Sequence, residues 1–309
     1  MTFTADSSSL YKIKPLLPQK VSSALSRLDK SALDRISEIR LRKNGICTVT
    51  VDGKNAVLTT SGVTQCSPCG IMLTKEDIDD FIYKFCKGSV YSHEDTLSEF
   101  YLTSEGIRAG LSGSGLYKGE KLVGIGEVSS VCIRLPHHID GCSDELYSFI
   151  KEHGFPDGKG ILISSSPGVG KTTLLRDLAI KLSDTKNAGF MRVCVIDERC
   201  EIYMDRIFEG CSIDFLSGID RIKGMEIACR VLSSQVIICD EISGPDEAEK
   251  ITRHKNTGFV FIASVHSASG EDALKKGYIR QMFQEGVFSH IYSLERNGKK
   301  VSGTLTEYA

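Results

Sequence analysis

The chain has no tryptophan, a formal net charge of only −2 and no second Cys-x-x-Cys pair among its 11 cysteines. Each absence excludes something. A near-neutral balance removes whole-molecule attraction to nucleic acid or to an acidic partner. The missing indole and the mildly basic segment Tyr117-Lys118-Gly119-Glu120-Lys121 argue against a stripe that stacks and tracks a nucleic-acid strand, so no direct nucleic-acid contact is expected. No apolar run approaches the ~20 residues needed to span a bilayer. Met1 to Ser9 is polar and lacks the charged-then-apolar layout of a signal peptide, which predicts a cytoplasmic protein. No internal repeat and no long low-complexity segment interrupts the chain.

The odd cysteine count fits reduced core thiols in such a compartment. Cys132, Cys194, Cys229 and Cys239 stand in apolar contexts and read as packing. Cys66-Ser67-Pro68-Cys69 alone has ligand-like spacing. A structural zinc needs about two further ligands, so this segment reads as a loop, with a redox pair as the alternative. His137-His138 reads as a solvated turn.

What is present is organised around residues 161–173, Ile-Leu-Ile-Ser-Ser-Ser-Pro-Gly-Val-Gly-Lys-Thr-Thr. An apolar run meets a small-residue loop, and Gly170-Lys171-Thr172 opens a helical pattern. This is the strand, loop and helix of a P-loop. Loop N–H groups point inward at an anion, and the helix N-terminus adds about half a positive charge. Ser165, Ser166, Pro167, Gly168, Val169, Gly170, Lys171, Thr172 and Thr173 form the candidate nucleotide-binding segment. Lys171 would reach the β- and γ-phosphates of ATP, and the Thr172 hydroxyl would hold Mg²⁺. Ser165 stands where the full pattern has glycine, a residue that takes left-handed backbone angles at little cost.

The length of 309 residues suggests about two domains. Leu10 to Arg42 is rich in helix formers with apolar residues near helical spacing. Cys47 to Val51 and Ala56 to Thr59 alternate like strands around Asp52-Gly53, a hairpin signal. Thr74-Lys75-Glu76-Asp77 resembles a capping box that opens a helix to about Lys87. Glu99 to Thr103, Gly106 to Leu111 and Leu122 to Glu127 look like short strands. Together with a strand over Val131–Pro136 they predict a mixed α/β N-terminal domain over 1–138. Beyond it, in 139–309, apolar strands at Gly160–Ser164, Arg192–Ile196, Val236–Cys239, Phe259–Ser264 and His290–Leu294 alternate with helices. That order implies an α/β fold with a mostly parallel sheet covered on both faces.

Val236-Ile237-Ile238-Cys239-Asp240-Glu241 is an apolar strand ending in two carboxylates, as a Walker B element requires. Asp240 would bind Mg²⁺ and Glu241 would activate the attacking water. Val193 to Asp197 is a second such strand, followed by Glu198 and Arg199. In a parallel sheet these ends open on one crevice, so Glu198 rivals Glu241. The alternative is a structural ion cluster of Asp197, Glu198 and Arg199. Phe261 to Val265 ends in His266, placed to sense a γ-phosphate. Arg134, Arg199, Arg206, Arg230, Arg280 and Arg296 are candidates to stabilise transition-state charge, an effect worth about 10³–10⁵ in rate when supplied in trans.

These segments, in this order, resemble the stage III sporulation protein AA family within the wider type II/IV secretion ATPase superfamily. The resemblance rests on Glu38-Ile39-Arg40-Leu41-Arg42, on Cys86 to Asp95 with its Ser-Val-Tyr core, and on Ser129 to Arg134. It rests further on Asp197-Glu198-Arg199-Cys200-Glu201-Ile202, Asp240-Glu241-Ile242-Ser243 and Ala263-Ser264-Val265-His266. Ser165, Ser243 and Ser267 replace family glycines, which bears on turnover rate. The resemblance implies a RecA-like P-loop core and Mg²⁺-dependent ATP hydrolysis by a homo-oligomeric ring, expected to be a hexamer. It implies docking, without crossing the bilayer, on membrane-embedded channel proteins between mother cell and forespore. It also implies that Arg134 contacts phosphate from the N-terminal side. A nucleotide-binding scaffold or switch with little hydrolysis is the second reading, and a nucleic-acid-dependent ATPase the third.

Overall fold

The computed structural model describes residues 8–66, 68–89, 97, 99–104, 107–204, 207–255, 258–297 and 300–308. The chain divides into two compact units, one ending at His137 and the other running from His138.

The first unit opens with short helices α1 (Ser8–Ile13), α2 (Gln19–Leu25) and α3 (Lys30–Leu33). Its strands are β1 (Ile36–Arg42), β2 (Gly45–Ile46), β3 (Thr48–Val51), β4 (Lys54–Thr59), β5 (Gly62–Thr64), β6 (Met72–Leu73), β7 (Tyr101–Ser104), β8 (Ile107–Lys118) and β9 (Lys121–Arg134). Seven of them form a sheet in the order β5-β4-β3-β1-β9-β8-β7, antiparallel at every pairing. Asp52-Gly53 makes the two-residue turn between β3 and β4, with φ of 50° and 75°. Both values are positive, as the twist-matched hairpin turn demands. Helix α4 (Lys75–Phe85) starts at a complete capping box: the Asp77 amide donates to Thr74 Oγ1 at 3.3 Å, and the Thr74 amide donates to Asp77 Oδ2 at 2.6 Å.

The helical reading of Leu10 to Arg42 fails over its last part. Ile36–Arg42 is a strand in the middle of the sheet, with Ile36, Ile39 and Leu41 buried. A bulge between Ile36 and Glu38 breaks the strict alternation, so apolar spacing along the chain mimics a helix. The separate strands expected at Leu122–Glu127 and Val131–Pro136 are one strand, β9, paired along its length with β8. Gly106 and the segment Val90 to Asp95 lie outside the described residues. Cys66 and Cys69 are exposed, and Ser67 between them is outside the described residues.

The second unit contains α5 (Asp144–His153), β10 (Gly160–Ser165), α6 (Lys171–Ser183), β11 (Val193–Asp197), β12 (Ile213–Ser217), α7 (Arg221–Arg230), β13 (Val236–Glu241) and α8 (Pro245–His254). It continues with β14 (Val260–His266), α9 (Gly270–Lys275), α10 (Gly277–Gln284), β15 (Phe288–Asn297) and β16 (Lys300–Glu307). The strand order is β12-β11-β13-β14-β10-β15-β16. All pairings are parallel except β15 with β16. One apolar layer joins Ile163, Leu174, Leu178, Val195 and Ile238, and another joins Leu162, Ile196, Ile237, Ala263 and Met282. The central strands are therefore buried on both faces, which explains their uninterrupted Val/Ile/Leu runs. Edge strands β12 and β16 were not foreseen. Their half-exposed, polar-interleaved sequences carry no such run.

A candidate nucleotide site at the mouth of the parallel sheet

Register places the site. Ser165, the last residue of β10, pairs with His266, the last of β14, and Glu241 on β13 pairs with Ser264 on β14. The P-loop strand, the strand ending in acids and the strand between them therefore finish side by side. Residues 166–170 turn from β10 into α6. Gly168 and Gly170 take φ of 73° and 128° there, angles that favour glycine. No side chain caps the first turn of α6, so its amides face the loop hollow ready for an anion.

Lys171 is only 7% exposed. Its ammonium group donates to His266 Nδ1 at 2.6 Å and approaches the Ser165 carbonyl at 3.5 Å. Burial lowers its pKa, while Asp240 and Glu241 pull it back up. Donation to Nδ1 puts the ring proton of neutral His266 on Nε2, which lies 3.4 Å from Glu241 Oε2. Glu241 also has Arg199 at 3.8 Å. Thr172 Oγ1 donates to Asp240 Oδ2 at 3.3 Å, and Ser264 Oγ lies 3.5 Å from Asp240 Oδ1. The Asp240 carboxyl is pushed up to about 6 by burial and by the neighbouring Glu201 and Asp197 charges. A divalent cation beside Thr172 and Asp240 would relieve that repulsion, so the donor set fits Mg²⁺.

Several expected residues are placed elsewhere. Glu198 is held by Arg221 at 3.0 Å, and Arg221 also binds Glu247. Asp197 is a structural acid rather than part of an ion cluster with Glu198 and Arg199. It accepts the amides of Glu201, Ile202 and Tyr203 at 2.8, 3.0 and 2.8 Å. Buried Arg176 on α6 clamps the same loop by donating to the Ile202 and Glu201 carbonyls at 2.7 and 2.6 Å. Together they fold the loop back, so that Glu201 acts on Asp240 from a position four residues beyond its strand. Sequence reading passed over Glu201, whose only signal was its membership of an acidic box. Arg134 ends β9 in the first unit, in register with Glu38 and Arg108. Arg206 is outside the described residues, and Arg230 and Arg280 are exposed.

Serine at positions 165, 243 and 267 strains nothing, because Ser165, Ser243 and Ser267 are not among the residues with positive φ. Ser165 Oγ donates to the Ser166 carbonyl at 2.9 Å, not toward the loop hollow. The group His138, Asp140 and Asp177 brings three ligand-type atoms within 4.8 Å of one another. Asp177 is already engaged by the Ser143 amide and hydroxyl at 2.8 and 2.6 Å and by Lys181 at 3.1 Å. It serves as a hub tying α6 to the turn before α5.

Beside the P-loop lies a cavity of about 570 Å³, lined by Cys142, Glu145, Val169, Tyr292, Leu294 and Val301 among others. Arg296 lines it too and donates to the Val169 carbonyl at 3.2 Å. Sequence reading placed Val169 in the P-loop and Arg296 among the arginines, and missed Cys142, Glu145, Tyr292, Leu294 and Val301. They converge from α5 and the C-terminal hairpin, far apart along the chain.

A family model described as sporulation stage III, protein AA, matches residues 9–307. The chain belongs to the sporulation stage III protein AA family. One relative in that family, stage III sporulation protein AA of Bacillus subtilis (strain 168), is 27% identical over 304 residues, covering 96% of this chain and 94% of the relative. Among solved structures, the Legionella pneumophila ATPase DotB superposes with a TM-score of 0.62 at 13% identity, over 93% of this chain and 78% of DotB. The pilus retraction motor PilT with bound ADP gives 0.60 at 17% identity, over 90% and 81%. At these identities the likeness is one of fold. The fold of this family member is α/β, with a RecA-like P-loop core of mostly parallel sheet and a mixed α/β N-terminal part. No helix among its described residues is long and apolar enough to cross a membrane.

Proposed function

We propose that this protein is a Mg²⁺-dependent ATPase. The observation that carries the reading is the convergence of Lys171 and Thr172, which open α6 after the P-loop, on Asp240 near the end of β13, with Thr172 3.3 Å from Asp240. The amides of 166–170 and the first turn of α6 hold the triphosphate, and Lys171 leaves His266 to reach it. Mg²⁺, held through Thr172 and Asp240, neutralises phosphate charge when bound. Glu241 takes the proton of the attacking water. His266, between Lys171 and Glu241, offers its N–H to the terminal phosphate. Arg199 is the arginine at hand for developing charge, and Arg134 is the second candidate. The chemistry is positioning and charge neutralisation. The cavity beside Val169 receives the nucleoside.

A phosphate-release assay at saturating MgATP tests this. Sustained turnover that Lys171→Ala abolishes supports it. Turnover that survives Lys171→Ala removes the loop assignment, and no turnover by the parent in any assembly state leaves only a nucleotide-binding scaffold. The serine replacements lend that scaffold no support, since none needs glycine geometry.

Family membership and the secretion-ATPase fold support a wider proposal. The protein assembles as a homo-oligomeric ring, a hexamer, in the cytoplasm. It energises a sporulation channel by docking on membrane-embedded partners. A nucleotide-dependent mass measurement in solution tests the ring.

A further inference from the structure

The cavity beside the P-loop has one acidic wall. Glu145, in the first turn of α5, lines it together with Tyr292 of β15. Tyr292 is 2% exposed and donates its hydroxyl to Glu145 Oε2 at 3.3 Å. Burial and the Glu145 carboxylate push the phenol pKa well above its ordinary value, so the hydroxyl stays a donor. Gly303 on the neighbouring strand lies flat against the ring. A Cβ there would sit 2.0 Å from Tyr292 atoms, so only glycine leaves the ring its place. No cationic side chain among the described residues pairs with Glu145. The carboxylate is thus held from one side and retains an oxygen that can only accept. Leu174, Leu294 and Val301 add apolar surface that suits a flat ring, and Arg296 also lines the cavity, held on the Val169 carbonyl.

We propose that Glu145, positioned by Tyr292, reads the base of the bound nucleotide by accepting from a donor on its Watson–Crick edge. This rests on the nucleotide-binding reading above and deepens it. The ligand class is a purine nucleotide whose edge donates: adenine through its 6-amino group, or guanine through N1–H and its 2-amino group. A purine without such a donor leaves the second carboxylate oxygen facing the base with no partner from the ligand, Tyr292 serving only the other oxygen. That loss is worth about tenfold or more in affinity, as for hydrogen bonds to charged groups.

The test is equilibrium calorimetry on the full chain with Mg²⁺, using diphosphates to avoid turnover: ADP, GDP and purine riboside diphosphate, which lacks every edge donor. The parent should bind ADP, GDP or both about tenfold more tightly than purine riboside diphosphate. Glu145→Ala should erase that gap, chiefly by weakening the donor-bearing nucleotide. Glu145 is exposed, so the variant keeps the fold. Tyr292→Phe should narrow the gap in part, as loss of a positioning group. The ADP-to-GDP ratio says which base the wall suits. If ADP and purine riboside diphosphate bind the parent alike, or the gap persists in Glu145→Ala, the base-reading role is overturned while nucleotide binding stands. If none of the three nucleotides binds, the nucleotide site itself is overturned and this role with it.

Discussion

Lys171 donates to His266 Nδ1 at 2.6 Å, bridging the end of the P-loop and the end of β14. The buried ammonium takes this imidazole nitrogen as its acceptor. His266 passes the contact on to Glu241 at 3.4 Å. The three side chains form one polar line across adjacent strand ends.

His266→Ala should therefore lower kcat at least tenfold with KM changed little, because the imidazole acts on the terminal phosphate more than on the bound nucleotide as a whole. Steady-state phosphate release measures both. An unchanged kcat would remove the histidine from the reaction.

Glu241 faces His266 and Arg199, whereas Glu198 is tied to Arg221. Glu241→Gln should cut turnover by about 10²-fold or more while ATP still binds, consistent with loss of a positioned base. Glu198→Gln should leave most activity. The opposite ranking in the same assay would make Glu198 the water-activating acid.

Asp197 accepts three backbone amides, and Arg176 supplies donors to two carbonyls of the same loop. Removing either leaves buried polar groups unpaired. Asp197→Ala and Arg176→Met should each destabilise the protein by about 2–4 kcal/mol in urea unfolding. A loss below about 0.5 kcal/mol would mean the loop does not depend on this clamp.

Asp240 binds its proton more readily in the fold than in the open chain, since its carboxyl is raised from 3.8 to about 6. At neutral pH the ionised form opposes folding, and protonation relieves it. The metal-free protein should accordingly gain stability from this group as pH falls from about 7 toward 4. Asp197 shifts in the same direction, so comparison with Asp240→Asn isolates the Asp240 part. The variant should be more stable than the parent at pH 7 without metal, and the difference should shrink at pH 5. Urea unfolding at both pH values in chelator reads this. Equal stabilities at pH 7 would show that the carboxylate is not held under repulsion.

Much of the core was legible because its signals are local. Glycines at 168 and 170, then lysine and threonine, specify a turn and its ligands within a few residues. Apolar runs ending in Asp240, Asp197 and His266 announce parallel strands opening on one edge. Ile36–Arg42 was not legible, since its bulge gives helix-like apolar spacing and only pairing with β3 and β9 makes it a strand. Nor were the side-chain partners of Glu241 and Glu198. Both follow apolar strands, and only packing brought Arg221 onto one and His266 onto the other.

The sequence by itself determined the P-loop, the acid-bearing strands and the alternation that builds a parallel sheet, because those depend on spacing along a short stretch. The tertiary structure alone decided which acid faces His266, how Arg176 and Asp197 bring Glu201 toward Asp240, and which walls line the cavity beside Val169. Those outcomes depend on strand order and loop return, which join residues from 25 to 147 positions apart and leave no periodic trace.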